Sequence, residues 1–199
     1  MRILIVGAAG TLGTAVCDAL GRRGHDLVTV GRTSGDIRCD VTKPEQLQRM
    51  WESVGRVDAV AITAGAVPFA PLPELDEAEY VNAFEGKVLS QINLVRTGLS
   101  HVADRGSFTL ITGILAREPI VTGAAAAVAN GAVEAFVRAA ALEMTPQRIN
   151  AVSPSVFTES LNDLGGLFPG YKPADLVDVA RAYVKSIEGA ATGQVVEVP

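Results

Sequence analysis

Cysteine is scarce, and the two present, Cys17 and Cys39, form neither a CxxC pair nor any metal-ligand spacing. They read as reduced core thiols. Histidine is equally sparse: His25 and His101 have no metal-binding or Ser/Asp partner near them in sequence and read as structural or solvated, so no metal is expected. There is no excess of basic residues either. A formal net charge of −5 leaves no cationic stripe for nucleic acid. No apolar run approaches the roughly 20 residues of a membrane helix, so no membrane span is expected. Met1-Arg2 enters a strand directly, without the look of a signal peptide, and a cytoplasmic protein is expected. Repeats, low-complexity tracts and linkers are missing too, so nothing suggests a second domain.

What is present is a chain of 199 residues, 48% hydrophobic and only 20% charged, enough for one domain with a sizeable core. Strand and helix patterns alternate. Near-continuous apolar runs predict strands at Arg2–Val6, Leu27–Val30, Asp36–Cys39, Val57–Ile62, Ser107–Thr112, Ile149–Val152 and Gln194–Val198. Helices are expected between them, at Leu12–Arg23, Pro44–Val54, Asp76–His101, Ala124–Met144 and Ala174–Ile187. The order implies an α/β fold, a doubly wound, seven-stranded parallel sheet with helices on both faces.

The segment RILIVGAAGTLG runs the first strand into Gly7, Gly10 and Gly13 and then into a helix starting near Thr11. Strand, glycine turn and helix in this order make a dinucleotide-phosphate site. Gly7 permits the tight turn, Gly10 lets backbone approach a pyrophosphate, and Gly13 lets the helix lie close to the sheet. The helix start at Thr11 and Leu12 offers free N–H groups to the anion. After the second strand come Gly31, Arg32, Thr33 and Ser34. A free ribose 2′-hydroxyl calls for a carboxylate here, and a 2′-phosphate calls for a cation, so Arg32, helped by Thr33, points to NADP.

Further segments resemble the short-chain dehydrogenase/reductase family over almost the whole chain. Asp40-Val41 is similar to its adenine-contacting Asp-Val, and Thr63-Ala64-Gly65 to its Asn-Ala-Gly, with Thr63 in place of Asn. Arg148-Ile149-Asn150-Ala151-Val152-Ser153-Pro154 resembles its Arg-Val-Asn-x-Val-x-Pro-Gly, with Ser155 in place of Gly. Thr158 falls where a threonine meets the nicotinamide amide, and Gly193–Val198 resembles the closing strand. The resemblance implies a Rossmann fold, a nicotinamide cofactor and a homodimer or homotetramer, the last through the helices Asp76–His101 and Ala124–Met144.

The chemical residues depart from that pattern. The family reaction relies on a Tyr, a Lys four residues later, a Ser and an Asn. In the matching registers stand Ala126, Asn130, Gly113 and Lys87, so Tyr and Ser are missing and Asn and Lys have traded places. An alanine side chain can neither donate nor accept a proton. Lys87, Asn130 and the neighbouring hydroxyl of Thr112 are therefore the expected catalytic group, with a partly buried Lys87 as acid, base or electrostatic stabiliser. Tyr171 could supply a replacement phenol and Arg117-Glu118 could meet a polar substrate, although both read more simply as surface-loop residues. Two functions follow: an NADP-dependent oxidoreductase of a small carbonyl or alcohol, or a dinucleotide-binding protein without redox turnover, whether sensor, partner subunit, cyclase or isomerase.

Overall fold

A computed structural model describes residues 1–199. The elements run β1 (Arg2–Val6), α1 (Thr11–Gly21), β2 (Asp26–Gly31), β3 (Ile37–Arg38), α2 (Pro44–Val54), β4 (Val57–Ile62), α3 (Glu77–Ala83), α4 (Ser90–Gly98) and β5 (Val102–Ile111). The chain continues through α5 (Ala124–Glu143), β6 (Arg148–Pro154), α6 (Leu161–Leu164), α7 (Leu176–Glu188) and β7 (Val195–Val198). All seven strands join one parallel sheet in the order β3-β2-β1-β4-β5-β6-β7. This is the expected doubly wound arrangement. The order reverses between β1 and β4, and in such sheets ligands bind at the carboxyl ends of the strands beside that switch.

Two apolar layers cover the sheet because its strands are buried on both faces. On one face Trp51, Leu94, Phe108 and Val137 bring α2, α4 and α5 onto the strands. On the other Leu20, Val179 and Tyr183 bring up α1 and α7. At 20 residues, α5 is long and apolar enough by composition to cross a membrane, contrary to the expectation that no run is. Here it is a core helix: Ala129, Val133 and Val137 lie fully buried in the layer against the sheet.

Most element boundaries shift by one or two residues from the sequence reading, and three departures have a structural cause. The fifth strand begins at Val102, not Ser107, because Val57 pairs with Val102 before the register shifts and Ala59 pairs with Ser107. The last helix begins at Leu176, since Ala174 is instead bridged to Phe157. The helix expected over Asp76–His101 is interrupted by a π-helical turn at Phe84–Leu89. Asp76 caps its start by accepting from the Glu79 N–H at 2.9 Å.

Candidate active site

Gly7 leaves β1 with φ +89°, a conformation only glycine adopts freely, and the Gly10 N–H closes the turn on the Gly7 carbonyl at 3.0 Å. A Cβ on Gly13 would sit 2.0 Å from the Gly7 oxygen, so α1 comes this close to the turn only with glycine there. Gly10, at the N-cap of α1, has no side chain to satisfy the first N–H groups, which remain open to an anion.

A cleft of about 490 Å³ lies over this turn, lined by Gly7, Gly10, Arg32, Thr33, Asp40, Val41, Ala64 and Gly65 among others. The nearby carboxylate of Asp36 is turned away. It accepts from the Thr29 backbone N–H at 2.8 Å and the Thr29 hydroxyl at 2.7 Å, bonds that hold it below the usual aspartate range. Arg32 is exposed and faces the cleft without that competitor. Asp40 is held by the Thr42 hydroxyl and N–H, which lower its pKa, with the Arg32 charge adding to the effect. Cys39 borders the same cleft, but burial pushes its thiol up to about 11, leaving it unreactive.

The cleft adjoins a cavity of about 310 Å³, and both share Thr63 and Gly65. Thr11 and Leu12 line the cavity rather than the first cleft. Lys87, Asn130 and Thr112 all border it, so the expected group does converge. Lys87 is 6% exposed. Its stem lies against Gly65, where a Cβ would come 3.1 Å from the Lys87 Cγ. Its Nζ reaches one partner, the Thr112 carbonyl oxygen, at 3.4 Å, and no carboxylate lies within 4.0 Å. Burial pulls the Lys87 ammonium down to about 8. The π-helical turn around it is held by Gln91, fully buried, which donates to the Lys87 and Ile111 carbonyls at 3.0 and 2.9 Å and accepts from the Ile111 N–H at 2.9 Å.

Asn130 is 3% exposed, and its Oδ1 has no hydrogen-bond partner. Gly113 leaves the room it uses: a Cβ there would stand 3.1 Å from the Asn130 Nδ2. Ser155, one position past Pro154, also lines the cavity with its hydroxyl buried and unpartnered. Apart from Thr11, Thr63 and Ser160 the remaining side chains are apolar, with Ala126 at the vacated Tyr position and Val67, Phe69, Leu115, Val156 and Phe168 as walls.

Several expected residues are placed elsewhere. The Thr112 hydroxyl is not a cavity donor: it donates to Glu134 Oε1 and the Val152 carbonyl, both at 3.3 Å, and only its carbonyl reaches Lys87. Arg117 turns inward as well, pairing with buried Glu134 at 2.7 Å and with Glu197 at 3.1 Å. The Tyr171 hydroxyl is pinned to the Glu118 carbonyl at 2.8 Å and cannot stand in for the missing phenol. Thr158 is exposed and bound to Asp175 at 2.6 Å, outside both the cleft and the cavity. The sequence reading missed Phe69 and Phe168, whose rings pack edge to face at 6.5 Å over the cavity; they come from two loops far apart in the chain. His101 stacks on Trp51 and His25 binds Glu188, structural roles as expected.

Residues 7–169 match the family model described as enoyl-(acyl carrier protein) reductase. L-fucose dehydrogenase of Oryctolagus cuniculus is 29% identical over 168 residues, 80% of this chain and 59% of that enzyme. L-xylulose reductase of Homo sapiens is 25% identical over 178 residues, 80% of this chain and 73% of that one. The chain thus spans little more than half the length of the first relative. Among solved structures, the protein lin1944 from Listeria innocua is 46% identical, covers all of both chains and superposes with a TM-score of 0.98. A small-chain dehydrogenase in complex with NADPH, 23% identical over all of this chain and 96% of its own, shares the fold with a TM-score of 0.89.

Proposed function

Because the chain belongs to the short-chain dehydrogenase/reductase family, we propose that it is an NADP-dependent oxidoreductase of a small carbonyl or alcohol, with Lys87 serving in place of the missing tyrosine. The residues present fit a dinucleotide. The uncapped start of α1 offers N–H groups to a pyrophosphate, Arg32 offers a cation to a 2′-phosphate, and Asp40 and Val41 flank the adenine end of the cleft. The NADPH of one structural neighbour supports the phosphorylated cofactor.

When bound, NADPH supplies the hydride. The protein's part is to bind, orient and move a proton. The Lys87 ammonium, buried at the cavity wall and free of any carboxylate, donates a proton to the oxygen of the substrate carbonyl as that oxygen gains charge. The Asn130 amide orients the same oxygen. The methyl of Ala126 leaves the space a tyrosine ring would fill, and Phe69 and Phe168 keep water out.

One observation carries this reading: a buried amine with a single weak partner at the wall of an apolar cavity that adjoins the dinucleotide cleft. The test is to follow NADPH oxidation by the protein on adding a panel of ketones, aldehydes and quinones. The second reading, a dinucleotide-binding protein without turnover, draws on the alanine at position 126 and is the result if NADPH binds but nothing oxidises it. Association with a second copy is part of the proposal. Exposed Val81, Phe84 and Leu89 along α3 and the π-helical turn, with Val128 and Leu142 on α5, support it.

A further inference from the structure

We propose that Lys87 is also a nucleophilic amine, which forms an imine with uncharged aldehydes entering the apolar cavity and needs no bound nucleotide to do so. This goes beyond the hydride reading above, although it uses the same side chain. A lysine becomes a nucleophile when it is desolvated in an apolar pocket and left without an anion to hold it charged. Both conditions hold here. The side chain is 6% exposed, no carboxylate lies within 4.0 Å of its Nζ, and neither Asp nor Glu lines the cavity.

Geometry favours attack as well. The stem lies against Gly65, the Nζ is tethered to the Thr112 carbonyl, and the turn that carries Lys87 is clamped to β5 by Gln91, so the amine is held at the wall rather than free to swing out. Ala126 leaves open the volume a tyrosine ring would take. Asn130 Oδ1 and Ser155 Oγ, both without partners in the protein, belong to residues lining that same space. They are suited to the hydroxyl of a carbinolamine and to the water that leaves it.

The step balances without an oxidant or reductant. The Nζ lone pair attacks the aldehyde carbon and a C–N bond forms. The two amine protons pass to the carbonyl oxygen, which departs as water and leaves C=N. Because burial brings the ammonium down to about 8 from its ordinary 10.5, roughly a quarter is free amine at about pH 7.5, against about one part in a thousand for an exposed lysine.

The experiment treats the protein, without nucleotide, with benzaldehyde and sodium cyanoborohydride at about pH 7.5, and maps benzylation by peptide mass. The chain has only four lysines, and Lys43, Lys172 and Lys185 are exposed internal controls. The proposal expects Lys87 to be benzylated about tenfold faster than any of these, the gain in free amine being partly offset by its weaker basicity. Lys87 reacting no faster than the exposed lysines overturns it. In Ala126→Leu, which narrows the cavity, labelling of Lys87 alone is expected to slow; unchanged labelling there also overturns it. Since no nucleotide is added, the result is independent of whether NADPH is ever oxidised, and failure of the reductase reading is recognised separately.

Discussion

The Nζ of Lys87 lies 3.4 Å from the carbonyl oxygen of Thr112, the residue just past the end of β5 whose hydroxyl is in turn committed to Glu134. An ammonium with one long hydrogen bond in an apolar setting is poorly compensated for the water it has lost. It is therefore poised to give up a proton. The same contact couples the end of the sheet, the π-helical turn and the cavity into one unit, which Gln91 tightens from behind.

The reductive activity is expected to depend on pH through Lys87. The acid form donates the proton, so the rate holds at low pH and falls as pH rises through about 8, where burial has placed the ammonium. The opposite slope is expected for alcohol oxidation, which needs the free amine. Rates of NADPH oxidation and NADP reduction across that range check both signs.

Stability provides a separate check on the burial of Lys87. Its folded pKa of about 8 lies below the ordinary 10.5 of an unfolded chain, so the folded state carries a penalty below pH 8 that fades as pH rises toward 10.5. Lys87→Met removes the charge and keeps the length. It is expected to raise stability near neutral pH by about 2–3 kcal/mol and to flatten the rise at alkaline pH. Urea unfolding of both proteins at neutral and alkaline pH measures it, and an unchanged midpoint would mean a solvated lysine.

Glu134 should matter for the opposite reason. It is buried with Arg117, Arg138, Thr112 and Ser153 around its carboxylate. Glu134→Ala leaves Arg117 without its 2.7 Å partner and is expected to destabilise by about 3 kcal/mol. Chemical denaturation shows whether the midpoint falls accordingly.

Cofactor choice rests on Arg32. The protein is expected to bind NADPH more tightly than NADH, and Arg32→Ala to lose about 1.5 kcal/mol of that preference, near the low end for a charged hydrogen bond because the side chain is exposed. Titration calorimetry with both cofactors reads the difference directly; equal affinities in the unaltered protein would contradict it.

Much of the nucleotide half was legible because its signals are local. An apolar run ending at Gly7, two more glycines at fixed offsets and the register that places Arg32 after β2 need no distant partner to be understood. The site half depends on contacts that sequence spacing does not encode. The π-helical turn at Lys87 exists with a buried Gln91 reaching across to Ile111, and the Thr112 hydroxyl is claimed by a glutamate 22 residues away. Arg117 looks like a loop residue in sequence because its partners, Glu134 and Glu197, come from α5 and β7. The position of Thr158 is hidden from sequence for a like reason: Asp175, 17 residues on, holds it at the surface.

The central claim is that Lys87 supplies the proton that the absent tyrosine cannot. Its most direct measurement is NADPH oxidation with an uncharged ketone or aldehyde drawn from the panel, in parallel for the unaltered protein and Lys87→Met, with NADPH affinity determined for each. The account predicts turnover in the first and its loss in the second at undiminished NADPH affinity. Turnover that survives in Lys87→Met, or no oxidation by any member of the panel in the unaltered protein, would contradict it.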